Sequence, residues 1–434
     1  MNASAAHDPK FEQTARNTLI ALFMVHFFAS MDRYAFTVLL EPIKADLGAT
    51  DTQMGLLSGL AFVICYVVFG IPFARLIDTG IRRTLVVATL AAWSAVTAAA
   101  SLATSVLGMG LCRAALGSAE AGALPASLSM IADTFPKERR HQAVSIFQLG
   151  AGVSPIIGVP MVAVIADNYG WRFSMIALGV AGLVLAAVLF FVLKEPVRGR
   201  FDAPSDGTVM PSLGESFKVL GRNTGFVFHV LSHTVITCTT TIFVIWLNAY
   251  CVRVLKFSMT EAGLVTGASG ALTIAGILGG GWICTRLIKA KQDDRWIAGF
   301  SGTVAFICAI GLVIMLWRPE RSNFFIGFGI TSLMVFARIA PAMTLSTDLA
   351  PPRMRGLSSS LTVGLSSLIG GGLAPVFMGR LSDSLAQSVG VAEGLRLAFL
   401  YTTVPCALFG ALLAGISAMV MTSPQRPTGT LQAA

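Results

Sequence analysis

The sequence predicts an all-α polytopic membrane protein with twelve transmembrane helices in two six-helix, pseudo-symmetric bundles. Of its 434 residues, 55% are hydrophobic and only 12% are charged, a balance that soluble domains do not show. Twelve apolar runs of about 20 residues follow one another, each long enough to cross a bilayer as a helix. The longest polar connection divides these runs into six and six.

The runs define the order of elements and the domain boundaries. The predicted crossings lie near residues 17–40, 54–76, 84–104, 107–132, 141–166, 172–193, 225–251, 262–288, 296–317, 323–347, 356–379 and 396–422. The resulting segments are an N-terminal segment 1–16, a first bundle 17–193, a linker 194–224, a second bundle 225–422 and a tail 423–434. Residues 1–16 are charged and lack the pattern of a cleavable signal peptide, so the first helix is expected to direct insertion.

The basic residues behind the net charge of +9 mark the orientation of the chain across the membrane. Of the 31 Lys and Arg residues, 20 lie at or beyond the ends of crossings on the side that is inside if the N-terminus is cytoplasmic, 8 lie on the outside, and the remaining three, Arg33, Arg113 and Arg338, lie at membrane depth. This asymmetry predicts a multi-pass protein of the cell (inner) membrane with both termini cytoplasmic. No contiguous basic face is available for nucleic acid. The seven cysteines fall within or beside apolar runs without CxxC spacing, so neither a metal site nor a disulfide framework is expected.

The two halves carry a faint internal repeat. Residues 74–78 after the second crossing match 285–289 after the eighth, and residues 136–140 before the fifth match 352–356 before the eleventh. The offsets of 211 and 216 are nearly equal, which favours duplication of a helical bundle. Within the linker, residues 212–219 are predicted to form a short surface helix.

Four ionisable residues interrupt the apolar runs of the first half. Asp32 and Arg33 lie in the first crossing, and Arg113 and Glu120 lie in the fourth. A charge near the bilayer centre costs roughly 2.5–3.5 kcal/mol on insertion scales, so such residues are expected to pair, to face a wet cavity or to serve the mechanism. Acids and bases at membrane depth, with no other chemistry nearby, indicate a transporter.

The loop after the second crossing resembles the signature of the major facilitator superfamily. Ala74, Asp78, Arg82 and Arg83 match its small residue, acid and basic pair, although Ala74 replaces a glycine and Thr79 a basic residue. The resemblance covers residues 17–422 and implies a loop that steadies the inward-closed contact between bundles, with Asp78 as the N-capping or ion-pairing acid. The alternative is that Arg82 and Arg83 only anchor the loop on the positive side.

A narrower resemblance is to the spinster branch of that superfamily. The matching motifs, in order, are Met31-Asp32-Arg33-Tyr34, Arg113 to Glu120, Ala132 to Pro136, Phe147 to Gly150 and Gly170 to Arg172. The resemblance implies a proton-driven carrier with lipid-like amphipathic substrates, such as lysophospholipids or sphingosine phosphate. It also implies a substrate or charge-pairing role for Tyr34.

In a six-plus-six arrangement, the first, fourth, seventh and tenth helices line the central cavity, and the intramembrane charges lie on these helices. Arg113 and Glu120 are seven residues apart, which places them on one face, about 10.5 Å apart along the axis. We hypothesise that Asp32 pairs with Arg113 in one state, that Arg33 points about 100° away, and that Glu120 is a second titratable group. Burial favours a neutral carboxyl whereas a nearby arginine favours the carboxylate, so substrate capture of an arginine would couple to proton uptake. The alternative is that the four charges only hold helices together.

Arg338, in the tenth crossing, has no acid beside it in the second half. A substrate carboxylate or phosphate would suit its planar fork. The equally simple alternative is that it snorkels to water or bonds helix-end carbonyls. His229 and His233, one turn apart in the seventh crossing, could sense pH or bind an anion, or could be satisfied polar residues.

Three functions compete. The leading one is a proton-coupled carrier of an amphipathic or lipid-like anion, acting as a monomer among membrane lipids, with protons as the coupling ion and no other cofactor. The alternative is a carrier of small organic acids or sugar acids, and the remote alternative is a membrane-embedded enzyme. The scarcity of Asn and Gln side chains at membrane depth favours the amphipathic substrate. An enzyme would need a nucleophile, base and acid at one depth, and no such set is predicted.

Overall fold

The structure is a computed structural model that describes residues 9–199, 201, 213–291, 293–351 and 354–421, and this part of the chain contains helices and no strands. Helices suit these apolar runs because they satisfy their own backbone hydrogen bonds where lipid offers none. The helices are α1 Pro9–Val38, α2 Leu40–Leu47, α3 Asp51–Ser58, α4 Leu60–Thr79, α5 Arg82–Ala100, α6 Val106–Glu120, α7 Ala123–Thr134, α8 Lys137–Val192, α9 Leu213–Arg222, α10 Thr224–Arg253, α11 Met259–Lys291, α12 Arg295–Trp317, α13 Arg321–Ala337, α14 Ile339–Asp348, α15 Arg355–Leu365, a π-helix Ser366–Leu373, α16 Ala374–Val389 and α17 Val391–Val420.

These helices account for all twelve predicted crossings. Ten helical stretches among the described residues are long and apolar enough to span a membrane. One of them, Gln142–Val192, is 51 residues long and contains two crossings, because Gly170 breaks the helix with a φ of 81°. The fourth crossing is divided between α6 and α7, of 15 and 12 residues, each too short to span alone. The predicted fold class is therefore confirmed.

The chain divides into two compact units. The first comprises Met1–Gly207 with Cys251–Gly270, and the second comprises Thr208–Tyr250 with Ala271–Ala434. The core of the first unit is a cluster of side chains from α1 and α4–α8 that includes Leu22, Trp93, Met130 and Phe147. The second unit holds smaller clusters, one around Cys284, Ile297 and Leu345 and one around Leu220, Phe226 and Val230.

Glycines allow close helix contacts in each unit. A Cβ added at Gly117 of α6 would lie 2.3 Å from the carbonyl oxygen of Phe62 in α4. A Cβ added at Gly280 of α11 would lie 1.9 Å from the carbonyl oxygen of Ala337 in α13. These contacts let the backbones of α6 and α4, and those of α11 and α13, approach closely.

Several sequence predictions fall partly outside the described residues. The predicted linker helix 212–219 corresponds to α9, Leu213–Arg222, and Ser212 lies outside them. So do the tail 423–434, residues 1–8 of the N-terminal segment and Pro352-Arg353 of the repeat. The boundaries 1–16, 17–193, 194–224, 225–422 and 423–434 stay predictions.

Candidate functional site

Asp32 lies inside the first unit and faces α5. Its side chain is 6% exposed, and its Oδ2 accepts a hydrogen bond from Thr97 Oγ1 at 2.6 Å. Asp32 occupies α1 and Thr97 α5, so the hydroxyl satisfies one oxygen of this buried carboxylate. This bond ties the first and third crossings together.

Arg33, the next residue along α1, faces α6 instead. Its Nη1 donates to Glu120 Oε2 and its Nη2 donates to Ser30 Oγ at 3.1 Å. Glu120 is the last residue of α6 and is 2% exposed, whereas the Arg33 side chain is 38% exposed. The other carboxylate oxygen of Glu120, Oε1, is buried without a hydrogen-bond partner. Glu120 therefore combines one charge-assisted hydrogen bond with one oxygen that can accept a proton.

Arg113, on the same helix as Glu120, is held by aromatic rings and a carbonyl. Its Nε donates to the Leu57 carbonyl oxygen at 3.0 Å. Its guanidinium carbon lies 4.3 Å from the ring centroid of Phe36 and 5.2 Å from that of Phe62. Such cation–π contacts stabilise a desolvated guanidinium. The residue is only 6% exposed.

The structure pairs the four charges differently from the hypothesis. The hypothesised Asp32–Arg113 pair is not formed in this structure, because Thr97 takes the carboxylate and Leu57 takes the Arg113 Nε. The ion pair that forms is Arg33 with Glu120. The 100° step between Asp32 and Arg33 sends one side chain to α5 and the other to α6. The sequence contained no signal for Thr97, an ordinary hydroxyl in a Thr- and Ala-rich helix.

Tyr34 lies in an apolar setting. It is partly buried and packs with Met259 against a cluster of Val38, Val159 and Ala163. Its backbone carbonyl accepts a hydrogen bond from Thr37 Oγ1 at 2.7 Å. Its implied substrate or charge-pairing role stays a prediction.

A second set of charges surrounds Arg82, and we call it the Arg82 cluster: Arg82, Asp133 and Glu195. Arg82 begins α5, is 2% exposed and donates from Nε to Glu195 Oε1 at 2.9 Å. Its Nη1 donates to Asp133 and, at 2.9 Å, to Ser129 Oγ. Its Nη2 donates to the Pro196 carbonyl at 3.1 Å. One arginine thus ties α5 to α7 and to the segment after α8.

The other two residues of the predicted gating loop have smaller roles in this structure. The Arg83 backbone N–H donates to Glu195 at 2.6 Å, and its side chain bonds the Phe190 carbonyl. Asp78 is exposed, and its carbonyl accepts a hydrogen bond from Arg198. The N-cap of α5 is Ile81, which makes no side-chain cap. The capping or ion-pairing role that the resemblance implied for Asp78 is not seen here, because Asp133 and Glu195 take the arginine.

A third charged set was not expected from the sequence, and we call it the Arg253 cluster: Glu41, Lys44, Asp51 and Arg253. Arg253 donates to Asp51 at 2.6 and 2.8 Å, and to Glu41 at 2.5 and 3.2 Å. Lys44 also binds Asp51. Asp51 is only 1% exposed. The excess of acids between the first two crossings was the available signal, since loops rarely bury a carboxylate without a cation.

Arg338 lies inside the second unit, at the junction of α13 and α14. It is 2% exposed, and its Nη1 lies 3.0 Å from His233 Nδ1. Because an arginine only donates, His233 must accept at Nδ1. The Arg338 Nε is buried without a partner. Neither predicted alternative for a free Arg338, snorkelling to water or bonding helix-end carbonyls, is seen here.

The histidines of α10 are satisfied by neighbours. His229 Nε2 lies 3.0 Å from the Ala342 carbonyl oxygen, so this nitrogen carries the hydrogen. The two rings are 6.4 Å apart between centroids. Among the residues that the structure describes, no three His, Cys, Asp or Glu side chains group closely enough to hold a metal ion.

Comparisons with known proteins agree with this architecture. The family model of the Major Facilitator Superfamily matches residues 22–375. An MFS-type efflux pump of Mycolicibacterium smegmatis is 26% identical over 407 residues, covering 94% of this chain and 92% of its own. The sphingosine-1-phosphate transporter SPNS2 of Danio rerio is 26% identical over 384 residues, covering 84% and 75%.

Two further relatives extend the comparison. The D-galactonate transporter of Escherichia coli O6:H1 is 25% identical over 407 residues, covering 87% of this chain and 90% of its own. A crystal structure of a bacterial homolog of the human lysosomal transporter Spinster superposes with a TM-score of 0.83 at 23% identity, covering 94% and 97%. The predicted resemblance to the spinster branch is confirmed, and the family and fold are those of transporters, not enzymes.

Proposed function

The chain belongs to the major facilitator superfamily, and from this membership we propose that it is a proton-coupled carrier of an amphipathic or lipid-like anion. Asp32 and Glu120 are the proposed protonation sites, and Arg33, Arg113 and Arg338 are the proposed partners of the substrate's charge. Both termini are proposed to be cytoplasmic, as the distribution of Lys and Arg favours.

The observation that carries the proposal is the environment of Glu120. One oxygen accepts from Arg33 and the other is buried without a hydrogen-bond partner. A proton on Oε1 neutralises the carboxyl and weakens its hold on Arg33, whose side chain is partly exposed. An anionic group that takes Arg33 favours protonation of Glu120, and the reverse holds by linkage. Asp32 supplies a second buried carboxyl on the same helix as Arg33.

The amphipathic substrate is supported by an apolar hollow in the second unit. The hollow has a volume of about 370 Å³ and is lined by Ile242, Leu373 and Phe377 among other apolar side chains. Phe377 is 64% exposed, so this wall presents an apolar side chain at the surface of the unit. Similarity to a sphingosine-1-phosphate transporter points to the same substrate class.

A second candidate is a sugar acid or another small organic acid. Similarity to a D-galactonate transporter over 87% of this chain favours it. In both proposals the substrate is an anion that uses the same acids and arginines. An apolar tail on the substrate, and not its charge, therefore distinguishes the two substrate classes.

The Arg82 cluster is proposed to steady one closed state of the carrier, with Asp78, Arg82 and Arg83 in the cytoplasmic loop. Its support is the burial of Arg82 between Asp133 and Glu195, an arrangement that resists separation of the helices it joins.

The test is transport in proteoliposomes with an imposed pH gradient. Two labelled probes are used, a fluorescent lysophosphatidic acid and D-galactonate. We expect the gradient to drive accumulation of the lysolipid, and Asp32→Asn and Glu120→Gln each to lower it by about tenfold or more. Equal accumulation of D-galactonate would favour the second candidate.

The control separates coupling from folding. Counterflow, in which internal probe exchanges with external probe without a gradient, should persist in Glu120→Gln, because no net proton transfer is needed. Full gradient-driven accumulation in both Asp32→Asn and Glu120→Gln would contradict the coupling scheme.

A further inference from the structure

A small cavity inside the first unit lies directly against Asp32. It has a volume of about 20 Å³, and its lining includes Asp32, Thr97, Ala100, Met109, Cys112 and Arg113. A buried water requires about 10–15 Å³ on this measure and two to four polar partners. The cavity meets both conditions, because Asp32, Thr97 and Arg113 bring a carboxylate, a hydroxyl and a guanidinium to its wall.

Some hydrogen-bonding atoms of the polar groups in the cavity wall are not used by contacts among the described residues. Thr97 occupies Oδ2 of Asp32, and among the described residues Oδ1 receives no hydrogen bond. Arg113 uses only Nε, toward the Leu57 carbonyl, although a guanidinium carries five N–H donors. A water in the cavity can therefore donate to Asp32 Oδ1 and accept from an Arg113 Nη group. This bridge joins the two residues that make no direct pair.

The cavity also lies near one end of the unit. Ala100 is the last residue of α5, and Met109 is the fourth residue of α6, about 5 Å along the axis from the start of that helix. Cys112, a further lining residue, is partly exposed. At the same end, Arg172 binds Asp46 and donates to the Ala103 carbonyl at 3.0 Å. Polar groups thus continue from the buried acid toward the loop between α5 and α6.

We propose that this cavity is a water site through which protons reach Asp32 from the α5–α6 loop. A hydronium ion arriving at the site gives its proton to the Asp32 carboxylate and becomes the bound water, so no other reactant is required. The Arg113 guanidinium orients the water and disfavours a resident excess proton, whereas Arg33 and Glu120 bind each other and do not line the cavity. The inference rests on the proposed proton coupling and adds its route.

The test fills the cavity without touching a charged group. Ala100→Leu places a larger side chain in the cavity wall, and Ala99→Leu is the matched control, because Ala99 is exposed on the same helix and does not line the cavity. Hydrogen–deuterium exchange of the Asp32 carboxyl is followed by infrared spectroscopy of the full chain in proteoliposomes, with the band assigned by its loss in Asp32→Asn. We expect Ala100→Leu to slow exchange by about tenfold or more and Ala99→Leu to leave it unchanged.

A second measurement reports on the cavity itself. In a variant that retains only Cys112, reaction with a small methanethiosulfonate reagent should be slowed by Ala100→Leu, which shows that the space is filled. If Ala100→Leu does not fold, Ala100→Val is used with a several-fold expectation. An unchanged exchange rate at Asp32 in the filled variant overturns the proposal. Failure of the proposed function is distinct, since it appears as absence of gradient-driven lysolipid uptake by the unmutated protein.

Discussion

The interiors of the two units treat buried charge differently. In the first unit, Arg33 and Arg82 each bind a buried carboxylate, Glu120 and Asp133 respectively. In the second unit, Arg338 lies at a helix junction and bonds His233, with no acid beside it among the described residues. The buried acids of the described chain are Asp32, Asp51, Glu120 and Asp133 in the first unit and Asp294, at the start of α12, in the second.

This difference separates two kinds of chemistry. A carboxylate beside an arginine can exchange a proton and release the arginine, so the first unit is suited to coupling. An arginine without an acid can hold an anion, a role proposed for Arg338 in the second unit and also for Arg113 in the first. The faint internal repeat of the sequence favours two related helical halves, and the buried charged residues of those halves differ. Four predictions test this contrast. Each removes one arginine and measures the effect on the groups that it contacted or on the ligand that it is proposed to bind.

The largest effect is expected at Arg82. Arg82→Ala strands Asp133 and Glu195, and breaking a buried pair in this way costs about 3–5 kcal/mol of unfolding free energy. The measurement is denaturant unfolding of the purified protein in mixed micelles. Arg83→Ala is the control and should cost less than about 1 kcal/mol, since its side chain binds no acid among the described contacts. Equal effects of the two variants would favour the alternative that both arginines only anchor the loop on the positive side of the membrane.

A smaller loss is expected at Arg33. Arg33→Ala leaves Glu120 buried without its cation, but partial exposure of Arg33 reduces the cost to about 2 kcal/mol. Glu120→Gln in the same chain should recover most of it, because a neutral amide needs no counter-charge. The double-mutant cycle is measured by the same unfolding assay. Additive losses of unfolding free energy in the cycle would show that Arg33 and Glu120 have no favourable interaction free energy.

The third prediction concerns binding to the second unit. Arg338→Met should weaken binding of the lysophosphatidic acid probe by about tenfold, the value of a charge-assisted hydrogen bond. Isothermal titration in detergent measures the change, and a neutral monoacylglycerol is the control ligand whose affinity should hold. Unchanged affinity for the lysolipid would remove Arg338 from the binding site.

The smallest effect is expected for the stability of that same variant. Arg338→Met removes a buried cation that no acid balances, so the unfolding free energy should change by less than about 1 kcal/mol in either direction. A loss as large as that of Arg82→Ala would erase the contrast between the two units.

Much of the architecture followed from the sequence alone. The twelve crossings were predictable because an apolar run must be about 20 residues long to cross hydrocarbon, and the helix has a constant rise. The fourth crossing illustrates the limit, since its composition does not reveal the break between Glu120 and Ala123. The positions of Asp32, Arg33, Arg113 and Glu120 in the first and fourth crossings were likewise evident from the cost of charge in lipid.

The partners of those charges were decided by the tertiary structure. The orientation of α1 about its axis directs Asp32 to Thr97 and Arg33 to Glu120, and that orientation depends on helix packing, including the close approach of Gly150 in α8 to Phe23 in α1. The Arg253 cluster joins residues about 200 positions apart, a separation at which local sequence carries no pairing signal. Composition and spacing determine which residues enter the membrane, whereas helix rotation and close packing determine which of them meet, because hydrogen bonds and ion pairs act only over a few ångströms.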